Sequence, residues 1–281
     1  MTLFLGIDGG GTGCRAAVTD EAGRILGCGQ GGPANIASDP DTARNSILAA
    51  TRQAMVAALG ATLAHRQVPH LVAGLGLAGA NAAGASGRLR LGLPFARIRI
   101  ETDAVAAAKG ALAGEDGIVA AIGTGSVFAV QQMGGIRCYG GWGLVLGDEG
   151  SGAYLGRAAL SMALRAVDGF ATMTPLLRQL LDEYGGAAAV VSFAQSARAA
   201  DFAQLAPRIV QSKDPAAIAL WAQGTSDVAA TLSRLRKTVP LPVTFIGGLG
   251  PSCAAALPQF PQAEAKGSAL DGALLLAREA V

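Results

Sequence analysis

Two glycine-rich segments of the 281-residue chain have the residue types and spacing to bind phosphate groups. Asp8-Gly-Gly-Gly-Thr12 and Gly123-Thr-Gly-Ser126 each follow an apolar run that predicts a strand. The main-chain N–H groups of such turns can surround phosphate oxygens. In the first turn Asp8 could hold Mg²⁺, directly or through water, and Thr12 could donate to a phosphate oxygen. An ordinary hairpin turn with a capping Asp is the alternative for the first segment taken alone.

Both segments sit in the same local pattern: strand, glycine turn ending in a hydroxyl residue, strand, tight turn, strand. This repetition predicts an internal duplication and two related lobes. The N-terminal lobe is expected at residues 1–113 and the C-terminal lobe at residues 114–267, with the C-terminal helix 268–281 packing back on the first lobe. In this arrangement the two glycine turns would close on the same phosphates from opposite sides.

The rest of the chain alternates between helical and strand patterns, which predicts an α/β fold. The predicted strands outside the two repeats span 70–77, 96–101 and 242–246. The predicted helices span 42–63, 104–112, 151–167, 175–184, 193–198, 202–210, 215–239 and 268–280.

Several common motifs are absent or weak. The dipeptide Gly-Lys of a P-loop does not occur, and no serine has the G-x-S-x-G surroundings of a hydrolase nucleophile. His65 and His70 are predicted to be solvated surface residues. The segment 74–79 matches G-x-G-x-x-G and Glu101 follows it, as in a dinucleotide site. A glycine-rich loop at the edge of a cleft is the favoured interpretation of that match.

Composition excludes several classes of function. A chain that is 51% hydrophobic and 15% charged is not disordered, and a net charge of +2 gives no footprint for nucleic acid or an anionic membrane. The charge-free segment 117–136 contains glycines and glutamines, which predicts a hairpin and not a membrane span. The four cysteines match no metal or disulfide pattern and are predicted to be small buried residues. With no signal peptide in evidence, the prediction is a cytoplasmic protein.

Eight motifs in order resemble the ASKHA superfamily of actin-like and hexokinase-like ATPases. More narrowly, the chain resembles the BadF/BadG/BcrA/BcrD ATPase family, in the branch that contains N-acetylglucosamine kinase and glucosamine kinase. The motifs are Asp8–Thr12, Gly32-Pro-Ala-Asn35, Gly76-Leu-Ala-Gly79, Glu101-Thr-Asp103-Ala, Gly123–Ser126, Gly140-Gly-Trp-Gly143, Gly147-Asp-Glu-Gly-Ser-Gly152 and Gly247-Gly-Leu-Gly250.

The resemblance implies two ribonuclease-H-like lobes with an interlobe cleft, ATP and Mg²⁺ as cofactors, and transfer of the γ-phosphate to the 6-hydroxyl of N-acetylglucosamine or glucosamine. It implies Asp103 as the base that deprotonates the sugar hydroxyl. The implied phosphate and nucleotide contacts are Gly10, Gly11, Thr12, Gly123, Thr124, Gly125, Ser126, Gly247 and Gly248. The implied sugar contacts are Asn35, Gly79, Asp103, Trp142 and Asp148. Homodimers are common in this family.

Alternatives remain for three of these residues. Asp103 could cap the helix that follows it, Asp148 could cap the helix beginning near Ser151, and Trp142 could be a core residue. The chain also departs from many relatives, because Gly13 stands where they place a basic residue and Arg15 comes two positions later. The source of positive charge near the γ-phosphate is therefore open. The chain is shorter than many relatives as well, in the helical region 172–240, from which further sugar contacts could come.

Two other functions are compatible with the same superfamily. One is an ATPase activator of a 2-hydroxyacyl-CoA dehydratase or benzoyl-CoA reductase, which would need clustered cysteines for an iron–sulfur centre; Cys138 and Cys253 are isolated in the sequence. The other is a sugar-sensing protein without turnover. Such regulators carry a DNA-binding module before the first phosphate loop, and here Asp8 lies too near the start of the sequence to leave room for one.

Overall fold

The computed structural model describes residues 2–238 and 240–280. Val239 and Val281, which end two of the predicted helical segments, lie outside the described residues. The chain divides into two compact units. Unit 1 comprises the residues up to Gly117, Ala129–Cys138 and the residues from Glu264 onward, and unit 2 comprises Ile118–Phe128 and Tyr139–Ala263.

The sheet of unit 1 has five strands in the order β3-β2-β1-β4-β5. They are β1 (Phe4–Gly9), β2 (Cys14–Thr19), β3 (Ile25–Gly31), β4 (Val72–Leu77) and β5 (Arg97–Thr102). β1 pairs with β2 in antiparallel and with β4 in parallel orientation, and β4 pairs in parallel with β5. The carboxyl ends of β1, β4 and β5 therefore meet at one edge of the sheet.

Glycines on alternate positions of β3 bring a helix directly onto the sheet. The helices of this part of unit 1 are α1 (Pro40–Leu59), α2 (Ala61–Gln67), α3 (Ala85–Leu91) and α4 (Asp103–Leu112). A Cβ at Gly27, Gly29 or Gly31 would collide with the backbone of α1. The close approach lets Ile47 of α1 join Ile7 and Leu75 in one buried apolar core.

The C-terminal helix α12 (Ala269–Arg278) packs in the same manner in unit 1. Ser268 and Asp271 form a capping box at its start. Gly110 of α4 and Gly272 of α12 face each other's backbones so closely that neither position has room for a Cβ. Gly74 of β4 likewise faces the backbone of α12.

The second sheet has the order β8-β7-β6-β9. Its strands are β6 (Gly117–Ile122), β7 (Ser126–Gln132), β8 (Gly135–Gly140) and β9 (Val243–Ile246). Met133 and Gly134 both have positive φ, of 49° and 78°, as a tight turn between β7 and β8 requires. β6 and β9 are parallel neighbours, so the loops that follow them lie at the same sheet edge.

Helices form most of unit 2. They are α5 (Gly152–Val167), α6 (Pro175–Tyr184), α7 (Ala187–Ser196), α8 (Ala199–Ala203), α9 (Ala206–Gln211), α10 (Pro215–Thr238) and α11 (Gly250–Ala256). Within the described ranges, no helix is both long and apolar enough to cross a bilayer.

Four sequence expectations need correction. The helix predicted over 42–63 is two helices, because Gly60 adopts φ 76° and ends α1. Cys28 and Cys138 are exposed, since each lies on the open side of a strand, while Cys14 and Cys253 are buried as predicted. Gly74 and Gly76 are inside β4 and do not form a loop. The two short helices predicted over 193–198 and 202–210 are misplaced, because the first is the end of the longer α7 and the second is divided between α8 and α9.

Candidate active site

The turn after β1 presents open main chain. Gly10 N donates to Gly13 O at 2.9 Å and Gly10 O accepts from Ala34 N at 2.8 Å, which fixes the turn. A Cβ built on Gly11 would meet no protein atom within 4 Å, and one on Gly10 would meet only Gly13 O at 3.9 Å. Thr12 is exposed beside them. The turn therefore has the free space above its backbone that a bound phosphate would need.

An ion pair joins the two strands that flank this turn. Asp8 and Arg15 are cross-strand partners, and Arg15 Nη2 donates to Asp8 Oδ2 at 2.6 Å. The arginine side chain is 58% exposed and the aspartate side chain 17%. Sequence reasoning left the cation near this turn open. The signal is the antiparallel pairing of β1 and β2, which places Arg15 directly opposite Asp8.

Asn35 and Gly79 lie against each other. Asn35 Oδ1 accepts from the N–H groups of Ala37 at 3.0 Å and Ser38 at 3.1 Å. The donor that Asn35 could offer to a ligand is therefore its amide Nδ2. Gly79 has φ 81°, and a Cβ there would lie 2.6 Å from Asn35 Oδ1. Because Ile36 N also donates to Ala78 O, the Asn35 segment is tied to the end of β4.

Asp103 is the first residue of α4, directly after β5. The interpretation that it caps this helix is wrong, because Thr102 is the N-cap and accepts from Val105 N at 3.2 Å. The Asp103 carboxylate accepts from Ala104 N at 2.9 Å. Burial of the carboxyl raises the pKa of Asp103, and the negative charge of Asp8 raises it further. A carboxylate with a raised pKa is a better proton acceptor than an ordinary aspartate.

Cys138 is a neighbour that sequence reasoning did not place near Asp103. Although Cys138 is exposed overall, partial desolvation of its thiol raises the pKa of Cys138, and the charges of Asp103 and Glu101 raise it further. A neutral thiol beside two carboxylates is unreactive as a nucleophile. Cys138 is therefore not a candidate nucleophile.

The turn after β6 is supported by the first turn of α5. Gly152 N donates to Gly123 O at 2.8 Å and Ala153 N donates to Thr124 O at 3.1 Å. The Ser126 hydroxyl donates to Glu149 O at 2.9 Å, so it is engaged inside unit 2. Thr124 is exposed at the tip of the turn. The serine thus holds the turn in shape, and the Thr124 side chain is the one open to a ligand.

Asp148 is buried against this turn with a left-handed backbone. Its φ is 61°, its exposed fraction is 7%, and its Oδ1 accepts from Gly143 N at 3.3 Å. The interpretation that Asp148 caps α5 is wrong, because Ser151 is the N-cap. Burial raises the pKa of Asp148, against the opposing effect of hydrogen bonds from the Ser126 and Gly143 amides.

Substitution of Gly125 by alanine is expected to destabilise the protein by displacing the Asp148 carboxylate. A Cβ on Gly125 would lie 2.7 Å from Asp148 Oδ2, closer than real contacts of this kind allow. We expect a loss of about 1–3 kcal/mol in the free energy of unfolding. Urea denaturation measures it. Gly87→Ala is the matched control, since a Cβ at that helical position meets nothing within 4 Å; an equal effect at both sites would refute a specific clash with Asp148.

Trp142 lies in the glycine-rich segment between β8 and α5 and is 71% exposed. It is therefore not a core residue, which removes that alternative. Its Cβ lies near Gly147. An exposed indole next to the segment that carries Asp148 offers an apolar face to a ligand.

The turn after β9 adjoins the turn after β6. Gly247 has φ 88° and packs on the end of β6, where Leu249 N donates to Ile122 O at 2.9 Å. A Cβ on Gly123 would lie 3.8 Å from Gly248 N, whereas a Cβ on Gly248 would meet nothing within 4 Å. Unit 2 thus brings the predicted phosphate turn and the predicted adenosine turn together.

The side chains that could donate to a metal limit which ion could bind. Across the part of the chain that the structure describes, no group of three or more His, Cys, Asp or Glu side chains could enclose an ion. Asp8 supplies a single partly exposed carboxylate. That donor suits Mg²⁺, which binds through one or two carboxylates, water and substrate phosphates.

The model of the BadF/BadG/BcrA/BcrD ATPase family matches residues 5–258. The chain belongs to this family, as its motifs predict.

Known proteins resemble the chain over most of its length. It is 33% identical over 240 residues to the glucosamine kinase GspK of Vibrio cholerae, covering 84% of this chain and 81% of that one. A structure from Chromobacterium violaceum, provisionally assigned as an N-acetylglucosamine kinase, has a TM-score of 0.89 at 33% identity and covers 99% of both chains. A glucokinase of the ROK family from Streptomyces griseus shares the fold, with a TM-score of 0.58 at 19% identity and 99% coverage of both chains. These similarities confirm the predicted fold class.

Proposed function

We propose that the protein is an ATP-dependent amino-sugar kinase that transfers the γ-phosphate to the 6-hydroxyl of glucosamine or N-acetylglucosamine. The observation that carries the proposal is the placement of Asp103. Its carboxylate follows β5 and does not cap α4, its pKa is raised, and Asp8 of the open phosphate turn lies close enough to influence it. The glucosamine kinase from Vibrio cholerae supports the choice of acceptor.

Backbone amides hold the phosphates of ATP in this proposal. Within unit 1, the phosphate-binding groups would be the amides of Gly10 and Gly11 and the Thr12 hydroxyl. Within unit 2, the turn 123–125 would bind phosphate, and Gly247 and Gly248 would contact the adenosine. Ser126 keeps the turn in shape through its bond to Glu149 O. Asp8 would hold Mg²⁺ directly or through water, and the ion would shield the charge of the phosphates. Arg15 supplies the cation that the sequence left open.

The sugar is held by polar groups with fixed partners. In unit 1, Asn35 would use Nδ2, since its Oδ1 is engaged. In unit 2, Asp148 would accept from sugar hydroxyls. Trp142 covers an apolar face of the sugar, and Gly79 leaves room beside Asn35. Asp103 accepts the proton of the 6-hydroxyl as the new O–P bond forms and the bond from the γ-phosphorus to ADP breaks. Phosphoryl transfer depends mainly on such alignment of the attacking oxygen.

The dehydratase activator function is less well supported. Burial raises the pKa of the Cys253 thiol to about 11. An iron–sulfur cluster shared between two subunits needs cysteines at the protein surface, whereas Cys253 is only 1% exposed within α11.

With ATP and a sugar as its substrates, the kinase is proposed to act in the cytoplasm.

A panel of sugars tests the proposed substrate class. With ATP and Mg²⁺, we expect kcat/KM for glucosamine or N-acetylglucosamine to exceed that for glucose by about tenfold or more. The relatives from Vibrio cholerae and Chromobacterium violaceum, which are assigned to sugars with nitrogen at C2, support this expectation. A coupled assay of ADP release measures it. Equal rates with all sugars, or ADP release that does not depend on sugar, would contradict the proposal.

A further inference from the structure

A second concave surface lies in unit 1 and shares no residue with the site described above. It is a depression of about 530 Å³ between the end of α3 and β5, the edge strand of the sheet. Its lining includes Arg90, Leu93, Phe95, Arg97, Arg99 and Ala280. We name this surface the arginine depression.

One of its three arginines is already neutralised. Arg99 Nη1 lies 2.7 Å from Glu279 Oε2, and Arg99 Nη2 lies 3.3 Å from Glu101 Oε1. Lys109 Nζ also contacts Glu279, at 2.5 Å. The charges of these four side chains cancel, and the two carboxylates fix the position of the Arg99 guanidinium.

The other two arginines bring unmatched charge. Arg90 and Arg97 are both exposed, and among the described residues no carboxylate lies within ion-pair distance of either. The local sequence accounts for this, because residues 42–100 contain seven arginines and no aspartate or glutamate. The arginine depression therefore has two positive charges that no carboxylate of residues 2–238 and 240–280 balances.

We propose that the arginine depression binds the phosphate monoester of a small metabolite. A phosphate monoester carries a charge of about −1.5 to −2 at neutral pH, which matches the two unpaired guanidinium groups. The planar guanidinium group of an arginine can donate two parallel hydrogen bonds to two oxygens of one phosphate. The volume lies in the range of about 300–1,000 Å³ that is usual for small-molecule sites.

Two other functions explain only part of the arginine depression. One is protection of the sheet edge from pairing with another chain, and the other is binding of nucleic acid. Charged residues on an edge strand hinder pairing with another chain, but this applies to Arg97 on β5 and not to Arg90 on α3. Single-stranded nucleic acid needs aromatic rings for stacking, whereas Phe95 in this lining is only 8% exposed. A compact anion uses both arginines and needs no stacking surface.

Isothermal titration calorimetry with the full chain at low salt tests the proposal, with glycerol 3-phosphate and inorganic phosphate as the titrated ligands. We expect saturable binding of at least one of them, weakened about tenfold or more in the double variant Arg90→Ala, Arg97→Ala, because two charge-assisted contacts are lost. Arg97→Lys keeps the charge without the fork and should give an intermediate affinity. Arg66→Ala, an exposed arginine of the same unit outside the lining, is the matched control and should bind as the unmodified protein does.

Three results would overturn the proposal. They are no saturable binding at millimolar ligand, equal affinity in the double variant and the unmodified protein, and tighter binding of a short single-stranded oligonucleotide that the double variant loses. Unfolding curves without ligand verify that the variants are folded. Kinase turnover on an amino sugar is recorded separately, so failure of this proposal and failure of the proposed function are distinguishable.

Discussion

Replacement of Asp103 by asparagine is expected to abolish most sugar phosphorylation while leaving the protein at least as stable as before. Loss of a general base costs about 10²–10⁴-fold in kcat. Asparagine keeps the size of the side chain and cannot accept the proton of the 6-hydroxyl. A coupled assay with saturating ATP and sugar gives kcat, and equilibrium binding of ATP shows whether the nucleotide site is intact.

The stability part of this prediction follows from the sign of the pKa shift. The pKa of Asp103 is higher in the folded protein than in the unfolded chain, so ionisation of Asp103 opposes folding. This cost is absent at low pH, where the carboxyl is protonated in both states, and is complete above the folded-state pKa. Asp103→Asn should therefore raise the free energy of unfolding at pH 7 without metal or nucleotide, and leave it nearly unchanged near pH 3.

Asp41→Asn is the control for this variant, since Asp41 is an exposed carboxylate of the same unit, paired with Arg44 at 3.3 Å. It should change neither turnover nor stability by much, because exposed ion pairs contribute about 0–1 kcal/mol. Near-normal turnover of Asp103→Asn would refute the role of Asp103 as the base.

Replacement of Arg15 by alanine is expected to weaken the use of ATP. The guanidinium lies 2.6 Å from Asp8, and its exposed position beside the open turn 10–12 makes it available to a phosphate oxygen. Loss of a charged hydrogen bond of about 1.5–3 kcal/mol predicts a fall of about 10–150-fold in kcat/KM for ATP. The KM for sugar should change little, and Arg15→Lys should restore part of the loss.

Arg24→Ala is the matched control for Arg15, because Arg24 makes a similar pair with Asp20 at 2.7 Å in the same unit. It removes an arginine–aspartate pair that lies outside the proposed site. An unchanged kcat/KM for ATP in Arg15→Ala, or an equal loss in Arg24→Ala, would contradict a specific role for Arg15.

The sequence was most informative where short patterns repeat. The turns after β1 and β6 stand in the same strand context, and this repetition predicted the arrangements β1–β3 and β6–β8. Helical spacing of apolar residues also located α6, which is predicted and observed over Pro175–Tyr184. Such features depend on neighbours in the sequence, so a single chain reveals them.

Glycines outside turns were harder to interpret. Gly27, Gly29 and Gly31 lie in β3 and allow the close approach of α1, while Gly110 and Gly272 allow contact between α4 and α12. The partner backbone is distant in sequence from each of these residues. The role of such a glycine therefore becomes clear only when the packed helix is seen.

The candidate site shows the same limit. The acids at positions 8, 103 and 148 could be selected from the sequence. The sequence does not show that Thr102 and Ser151 are the N-caps, which leaves Asp103 and Asp148 without that role. The Asp8–Arg15 pair depends on the register of β1 and β2. Neighbouring polar residues compete for the same backbone amides and charged partners, and the sequence pattern does not show which of them makes the contact.

Identification of the reaction product by phosphorus and proton NMR is the decisive test of the proposed kinase activity. The full chain is incubated with ATP, Mg²⁺ and glucosamine, and in parallel with N-acetylglucosamine. We expect ADP and a phosphate monoester to form in equal amounts, with the phosphorus coupled to the protons on C6 of the sugar. Formation of ADP and inorganic phosphate with the sugar unchanged would contradict this expectation and identify the protein as an ATPase that does not phosphorylate these sugars.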